Sequence, residues 1–284
     1  MSVLADLLER GSAHLRKAGI ENSRLEARLL LAHALGLSQE EMLGGQGVPN
    51  PQAMSRFESL LRRRSEREPL AYIVGWREFW SLPFEVGPGV LVPRPDSETL
   101  IEAALTVFPE HDAELDVLDL GTGSGCLLLS FLHERPQAHG IGVDISEDAL
   151  GFAASNAFAL ELSERSGFQV GNWLADLRGQ FDVILANPPY IADGEIDGLD
   201  PEVAHYEPRS ALAGGLDGLD AYRGLADILP RLLRLQGYAF VELGMGQEPD
   251  VTKIFTGAGL RILRIVPDLA GIPRCLVVGL GNPP

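Results

Sequence analysis

Apolar residues recur at helical spacing through the first 75 positions and change period after them. Leu25, Leu29, Ala32 and Leu35 fall on one predicted helix, with Gly36 as its stop. Residues 50–66 repeat the pattern, with Phe57, Leu60 and Leu61 on one side. No strand signal interrupts them, so residues 1–75 read as a small helical bundle. Residues 76–95, WREFWSLPFEVGPGVLVPRP, mix aromatic and β-branched residues with Pro and Gly. A short hairpin and an extended linker are expected there, with Trp76, Phe79 and Trp80 as core of the domain junction.

From residue 96 to 284, strand and helix patterns alternate. Predicted strands are 116–120, 140–144, 168–170, 181–186, 238–243, 261–266 and 275–280, and predicted helices are 96–107, 125–134, 146–158, 219–235 and 247–258. This order argues for an α/β domain with a mostly parallel sheet covered by helices on both faces. The last two strands are joined by PDLAGIPR, too short for a crossover helix, so they form an antiparallel hairpin at or near one edge.

Composition narrows the classes. The chain has 284 residues and 45% hydrophobic content, ordinary for a globular protein of one large or two smaller domains. Its longest apolar run, LLLAHALGL, is too short to cross a membrane. The N-terminus has acids and helical spacing rather than the pattern of a signal peptide. Two cysteines, Cys126 and Cys275, are too few for a disulfide framework, so a cytoplasmic location is expected.

Charge is divided unevenly. Through Gly75 there are ten Lys/Arg and nine Asp/Glu; the remainder has thirteen against thirty-one, or −18 of a total −17. So acidic a domain repels polyphosphate unless a local basic stripe compensates. The strongest stripe, LRRRSER (61–67), reads as the solvated face of a helix.

The candidate chemistry begins at VLDLGTGSGCLLLSFL (117–132), a buried strand, a glycine loop and a helix. Glycines Gly121, Gly123 and Gly125 let backbone approach a ligand closely. The loop is no dinucleotide fingerprint, which would need glycine where Cys126 stands, and no P-loop, since no lysine follows. Asp144 ends the next strand, where a carboxylate can accept from two ribose hydroxyls. The pair suits an adenosine without a pyrophosphate, and S-adenosylmethionine fits, its sulfonium matching an acidic pocket.

Asn187-Pro188-Pro189-Tyr190 follows the strand 181–186. Each proline fixes its own φ and pushes the preceding residue to an extended conformation, so pairing stops and carbonyls are left rigidly aimed. Asn187 adds a side-chain acceptor and Tyr190 an aromatic wall. Such a set can hold a planar NH2 group, whose two hydrogens need two acceptors, and can stabilise the positive charge that grows on nitrogen as it attacks a methyl carbon. No strong general base is required. By contrast, Asn282-Pro283-Pro284 lacks the aromatic and reads as a plain chain end.

GTGSG, VDIS, GNW (171–173) and NPPY together resemble class I S-adenosylmethionine-dependent N-methyltransferases. More specifically, the chain is similar to the release-factor glutamine methyltransferases of the HemK/PrmC type, on REPLAYIVGWREFW (67–80), VLVPRPDSETL (90–100), YEPRSALAGGLDGLDAYR (206–223), VELGMGQ (241–247) and PDLAGIPR (267–274). Ser97 stands where that family has threonine, and Glu26 where it often has aspartate. The resemblance implies a Rossmann-like methyltransferase domain at 96–284, with 1–75 recognising the substrate. It implies that Gly121, Thr122, Gly123, Ser124 and Gly125 wrap the methionine and ribose of S-adenosylmethionine, leaving S-adenosylhomocysteine as product. Asp144 would hold the ribose, Trp173 would flank the adenine with Asn172 beside it, and Asn187 would also border the cofactor. Asn187 and the Pro188 carbonyl would accept from the target amide, with Pro189 and Tyr190 completing the substrate site. The implied substrate is the glutamine of the Gly-Gly-Gln tripeptide in class I peptide chain release factors. The implied enzyme is a cytoplasmic monomer that forms no stable nucleic-acid complex.

Two other classes are weighed. A DNA or RNA exocyclic-amine methyltransferase is the alternative, since NPPY-type loops serve such amines too; the −18 charge and the lack of a basic stripe interleaved with aromatics oppose it. A noncatalytic cofactor-binding adaptor is opposed by intact Asn187 and Tyr190. No metal is expected, because the six histidines show no ligand spacing. Gly44-Gly45-Gln46, which matches the expected substrate tripeptide, reads as a glycine-rich helix connection.

Overall fold

The structure, a computed structural model, describes residues 3–44, 49–172 and 177–280. It divides into two compact units, Met1–Trp76 with Asp200–Tyr206, and Arg77–Leu199 with Glu207–Pro284.

The first unit is helical: α1 (Val3–Lys17), α2 (Ser23–Leu35), α3 (Gln39–Leu43), α4 (Pro51–Ser65) and α5 (Leu70–Val74), together with a short helix at Pro201–Tyr206. Gly36 ends α2 at φ +69°, a left-handed cap that few side chains tolerate. Asn50 caps α4 by accepting from Ala53 N at 2.8 Å, ahead of Pro51 at the first helical position. Phe57, Leu60 and Leu61 of α4 are buried as expected. Of the positions expected on α2, Ala32 is buried and Leu35 packs against the core, but Leu25 is 44% exposed, and Ala27, Leu30, Leu31 and Ala34 fill the inside. The helix is apolar around much of its circumference, and packing against α1 and α4 selects the face.

The basic stripe is corrected too. Arg64 is not solvated: its side chain is 7% exposed and meets Glu26 at 2.5 Å and Glu202 at 2.8 Å. Arg67 also meets Glu202, at 2.6 Å. A buried guanidinium is stable only when its charge is matched, and two carboxylates match it here.

In the second unit, β1 (Trp76–Phe79) and β2 (Leu82–Glu85) form a two-stranded sheet. Phe79 is buried and Trp80 packs beside it in the core of this unit, whereas Trp76 is 46% exposed and is no core residue. After α6 (Glu98–Val107) come β3 (Asp116–Leu120), α7 (Cys126–Glu134), β4 (His139–Asp144), α8 (Glu147–Ala159), β5 (Ser166–Val170) and β6 (Phe181–Ala186). Then follow α9, the Pro201–Tyr206 helix of the first unit, and α10 (Asp220–Leu232), β7 (Leu233–Glu242), α11 (Glu248–Gly257), β8 (Arg261–Pro267) and β9 (Pro273–Gly279).

The seven strands are ordered β5-β4-β3-β6-β7-β9-β8. Pairings are parallel from β5 to β7 and antiparallel for β7–β9 and β8–β9, as the alternation and the short final loop require. Strand residues alternate between two cores. Val117, Val183, Leu185, Phe240 and Val277 pack on one face with α6 and α7 residues such as Leu100 and Phe131. Leu118, Ile184, Ala239, Val241 and Leu276 pack on the other with Tyr222 and Leu225 of α10 and Val251 and Phe255 of α11. Strand β7 begins at Leu233, inside the span expected for the preceding helix, because Leu233 already pairs with Phe181 ahead of a bulge.

Candidate active site

Three strand ends meet at one edge of the sheet. Leu120 of β3 pairs with Val143 of β4 on one side and with Ala186 of β6 on the other. Gly121, Asp144 and Asn187 therefore leave the sheet side by side at its C-terminal edge, where open parallel sheets take ligands. A cleft of about 910 Å3, open solvent included, lies there; its lining includes Gly121–Ser124, Asp144, Ile145 and Asn187–Pro189, with Pro93, Arg94 and Ser97.

The glycine loop is tied down from both sides. Gly121 N and Thr122 N both donate to Val143 O, at 2.8 and 3.1 Å. Thr122 Oγ1 donates to Asp119 Oδ2 at 2.6 Å, and Leu128 N donates to the same oxygen at 3.3 Å. Burial pushes the Asp119 carboxyl up to about 7, with these two hydrogen bonds pulling the other way and the Asp144 charge adding to the rise. Gly125, at φ +80°, begins α7 and does not line the cleft. Strand β4 makes room for the loop by omitting a side chain: a Cβ on Gly142 would lie 2.7 Å from Thr122 Oγ1.

Asp144 is oriented by two backbone amides, accepting from Gly123 N at 2.9 Å and Ser146 N at 3.0 Å. Beside it Ile145, 54% exposed, offers the cleft an apolar face. Ser124 Oγ, buried and without a hydrogen-bond partner, stands in the same wall. A fixed carboxylate beside an uncovered apolar face can receive an adenosyl group, the carboxylate accepting from a ribose diol. Trp173, expected beside the adenine, lies outside the described residues, as does Gln46.

The Asn187–Tyr190 loop is held by segments distant in sequence. Asn187 Nδ2 donates to Ser97 Oγ at 3.0 Å, which turns Oδ1 away from Ser97. Ser97 Oγ in turn donates to Glu242 Oε2 at 2.5 Å. Tyr190 does not line the cleft; its hydroxyl donates to Glu242 Oε1 at 3.2 Å. Burial pushes Glu242 up to about 7 against these hydrogen bonds, and burial followed by the Glu242 charge raises the Tyr190 phenol. Gln247 Nε2 donates to Tyr190 O at 2.9 Å, and Ile191 bridges Ala213 in parallel. Gly214 must be glycine because a Cβ there would lie 2.8 Å from Pro189 O. At the mouth, Arg94 Nη2 donates to the buried Glu207 at 2.6 Å, and burial raises the Glu207 carboxyl in spite of that partner.

Of the residues singled out in the sequence, Gly121, Thr122, Gly123, Ser124, Asp144, Asn187, Pro188 and Pro189 share the cleft, and Gly125 and Tyr190 adjoin it. Ser97, Glu242 and Gln247 went unassigned in the sequence. Their blocks were visible, but the 145-residue separation of Ser97 and Glu242 hid their pairing. His205 and Tyr206 belong with the helical unit, where Tyr206 Oη donates to Glu66 O at 2.7 Å.

Residues 6–75 match the family described as the PrmC N-terminal domain, and residues 111–239 match a methyltransferase domain. The release factor glutamine methyltransferase of Rhodospirillum rubrum is 46% identical over 97% of this chain and 84% of its own length. That of Bradyrhizobium diazoefficiens is 44% identical over 93% of this chain and 91% of its own. A solved protein-(glutamine-N5) methyltransferase from Alicyclobacillus acidocaldarius is 31% identical, with 69% of this chain and 98% of that one covered at a TM-score of 0.41. Identity of this extent, carried through both the helical start and the strand-and-helix remainder, has one consequence: the chain belongs to the release factor glutamine methyltransferases, a family of S-adenosylmethionine-dependent enzymes.

Proposed function

We propose that this protein transfers a methyl group from S-adenosylmethionine to the side-chain amide nitrogen of the glutamine in the Gly-Gly-Gln motif of class I peptide chain release factors. The observation that carries the reading is the setting of Asn187. Its amide NH2 is engaged by Ser97, so its carbonyl is the end left for a ligand, on the strand next to the glycine loop. When bound, S-adenosylmethionine supplies an electrophilic methyl on a sulfonium. Asn187 Oδ1 and the Pro188 carbonyl accept the two N–H groups of the target carboxamide and fix its plane. As nitrogen gains positive charge, the same two oxygens stabilise it, and the proton becomes acidic enough to leave without a strong base. Pro189 borders the amide plane, and Tyr190, held by Glu242, backs the loop from beside the cleft. Gly121–Ser124, Asp144 and Trp173 hold the cofactor, with Gly125 capping α7 behind the loop.

The helical unit recognises the release factor. The enzyme works as a monomer in the cytoplasm, where its substrate takes part in translation, and forms no stable complex with nucleic acid, in keeping with the −18 charge after Gly75. Mass spectrometry of a release factor incubated with this protein and S-adenosylmethionine tests the proposal, beside a Gln→Ala release factor and a DNA substrate. A single methyl on the tripeptide glutamine is expected. A methyl on nucleic acid, and none on that glutamine, overturns it.

A further inference from the structure

We infer that Glu242 and Ser97 are positioning residues that set which end of the Asn187 amide faces the substrate. The inference rests on the glutamine-transfer reading above. An asparagine amide can sit in either of two orientations, and only one presents a carbonyl to an incoming NH2 group. Ser97 has a single hydroxyl hydrogen, and Glu242 Oε2 takes it. Ser97 Oγ can then only accept from Asn187, which turns Nδ2 inward. A charge at the far end of a buried hydroxyl thus dictates the polarity of the acceptor at the near end. The other carboxylate oxygen accepts from Tyr190, so one buried group fixes both ends of the Asn187–Tyr190 loop.

The chain of bonds works in one direction only while Glu242 is ionised. A protonated Glu242 donates to Ser97, freeing the hydroxyl to donate to Asn187 Oδ1 and reversing the amide. The groups around Glu242 come from several elements: Asp96 beside Ser97, Tyr190 after β6, Tyr222 of α10, Cys126 of α7, and Arg274 and Cys275 of β9. Arg274 is held by Asp96 at 3.0 Å and by Asp268 at 3.1 Å, which leaves Glu242 to Ser97 and Tyr190.

The test compares wild type, Ser97→Ala, Ser97→Thr and Glu242→Gln in steady-state methylation of a release factor across pH 6–9, with cofactor affinity measured by calorimetry. Ser97→Ala is expected to lower kcat about 10- to 100-fold with cofactor affinity unchanged, the loss typical of a misplaced reacting group. Ser97→Thr, which keeps the hydroxyl, restores it. Wild type shows an acid limb in kcat that Glu242→Gln removes. In an Asn187→Ala background, followed by single turnover at high enzyme, Ser97→Ala adds no further loss, because it acts only through Asn187. Wild-type kcat in Ser97→Ala, the same fractional loss with and without Asn187, or an acid limb unchanged in Glu242→Gln overturns the inference. Failure of wild type itself to methylate the glutamine strikes the function proposed above, so the two failures are told apart. Should Glu242→Gln not fold, the Ser97 pair and the double variant decide the matter.

Discussion

Replacing Gly142 by alanine is expected to damage the cofactor loop from beneath. The new Cβ would lie 2.7 Å from Thr122 Oγ1, 2.9 Å from Thr122 Cβ and 2.9 Å from Phe168 Cδ1. The strand cannot yield, since Gly142 is paired with Asp119 of β3 on one side and Phe168 of β5 on the other. Thr122 must move instead, and its 2.6 Å hydrogen bond to the fully buried Asp119 breaks. Overpacking costs about 1–3 kcal/mol. A lost hydrogen bond to a charged group costs about 1.5–3 kcal/mol. Because both act on one side chain they do not simply add, and a loss of about 3–4 kcal/mol is expected. Urea denaturation reads the stability, and calorimetry with S-adenosylhomocysteine reads the site. Displacement of Thr122 should weaken binding at least about tenfold, equivalent to 1.4 kcal/mol. Gly151→Ala is the control: its Cβ meets nothing within 4 Å on the exposed face of α8, so a gain of up to about 1 kcal/mol is expected. A Gly142→Ala protein within about 0.5 kcal/mol of wild type in both assays refutes the steric reasoning.

Asn187→Ala should abolish steady-state methyl transfer, leaving only the trace that single turnover at high enzyme reads, while calorimetry still detects cofactor binding; loss of binding in a folded variant counts against its assigned role. Arg64→Ala leaves Glu26 without its partner, while Glu202 keeps Arg67, and should cost about 3 kcal/mol in urea denaturation, with an unchanged midpoint as the contrary result. The pH dependence of stability follows from Glu242, whose folded value of about 7 lies above the ordinary carboxyl value. The folded state then holds more protons than the unfolded one between about pH 4.5 and 7, so stability falls as pH rises through that window. The contribution of Glu242 is at most about 3 kcal/mol, and Asp119 adds in the same direction. Glu242→Gln should gain on wild type from pH 5 to about 7 and then hold that gain; parallel profiles would contradict this.

The sequence made the sheet legible because its central strands β3, β6, β7 and β9 are largely buried and read as apolar runs. Spans 116–120 and 181–186 agree with the structure residue for residue. Glycine and proline punctuation marked the two loops that meet at the cleft. Properties set by partners remote in sequence were hidden. Arg64 looked solvated because charge runs usually are, and only Glu26 and Glu202, both remote in sequence, make its burial tolerable. Leu25 looked buried because local spacing cannot say which side of an apolar helix meets its neighbours. Ser97 and Glu242 looked incidental until folding joined them to Asn187. The glycines of β4 read only as strand residues, since nothing local shows that Thr122 needs their space.

The match of Leu120 with Ala186 bears on how such an enzyme can vary. The glycine loop and the Asn187–Tyr190 loop ride on neighbouring ribbons, so their spacing is fixed by interstrand hydrogen bonds rather than by the connections between them. Insertions in the connections between β3 and β6 that lie away from the glycine loop and from Asp144 leave that spacing intact, whereas deleting one residue within β6 would shift Pro188 into the place of Asn187 and turn the following side chains to the wrong face. Length changes should be tolerated in connections remote from the cleft and lethal to activity within the strands.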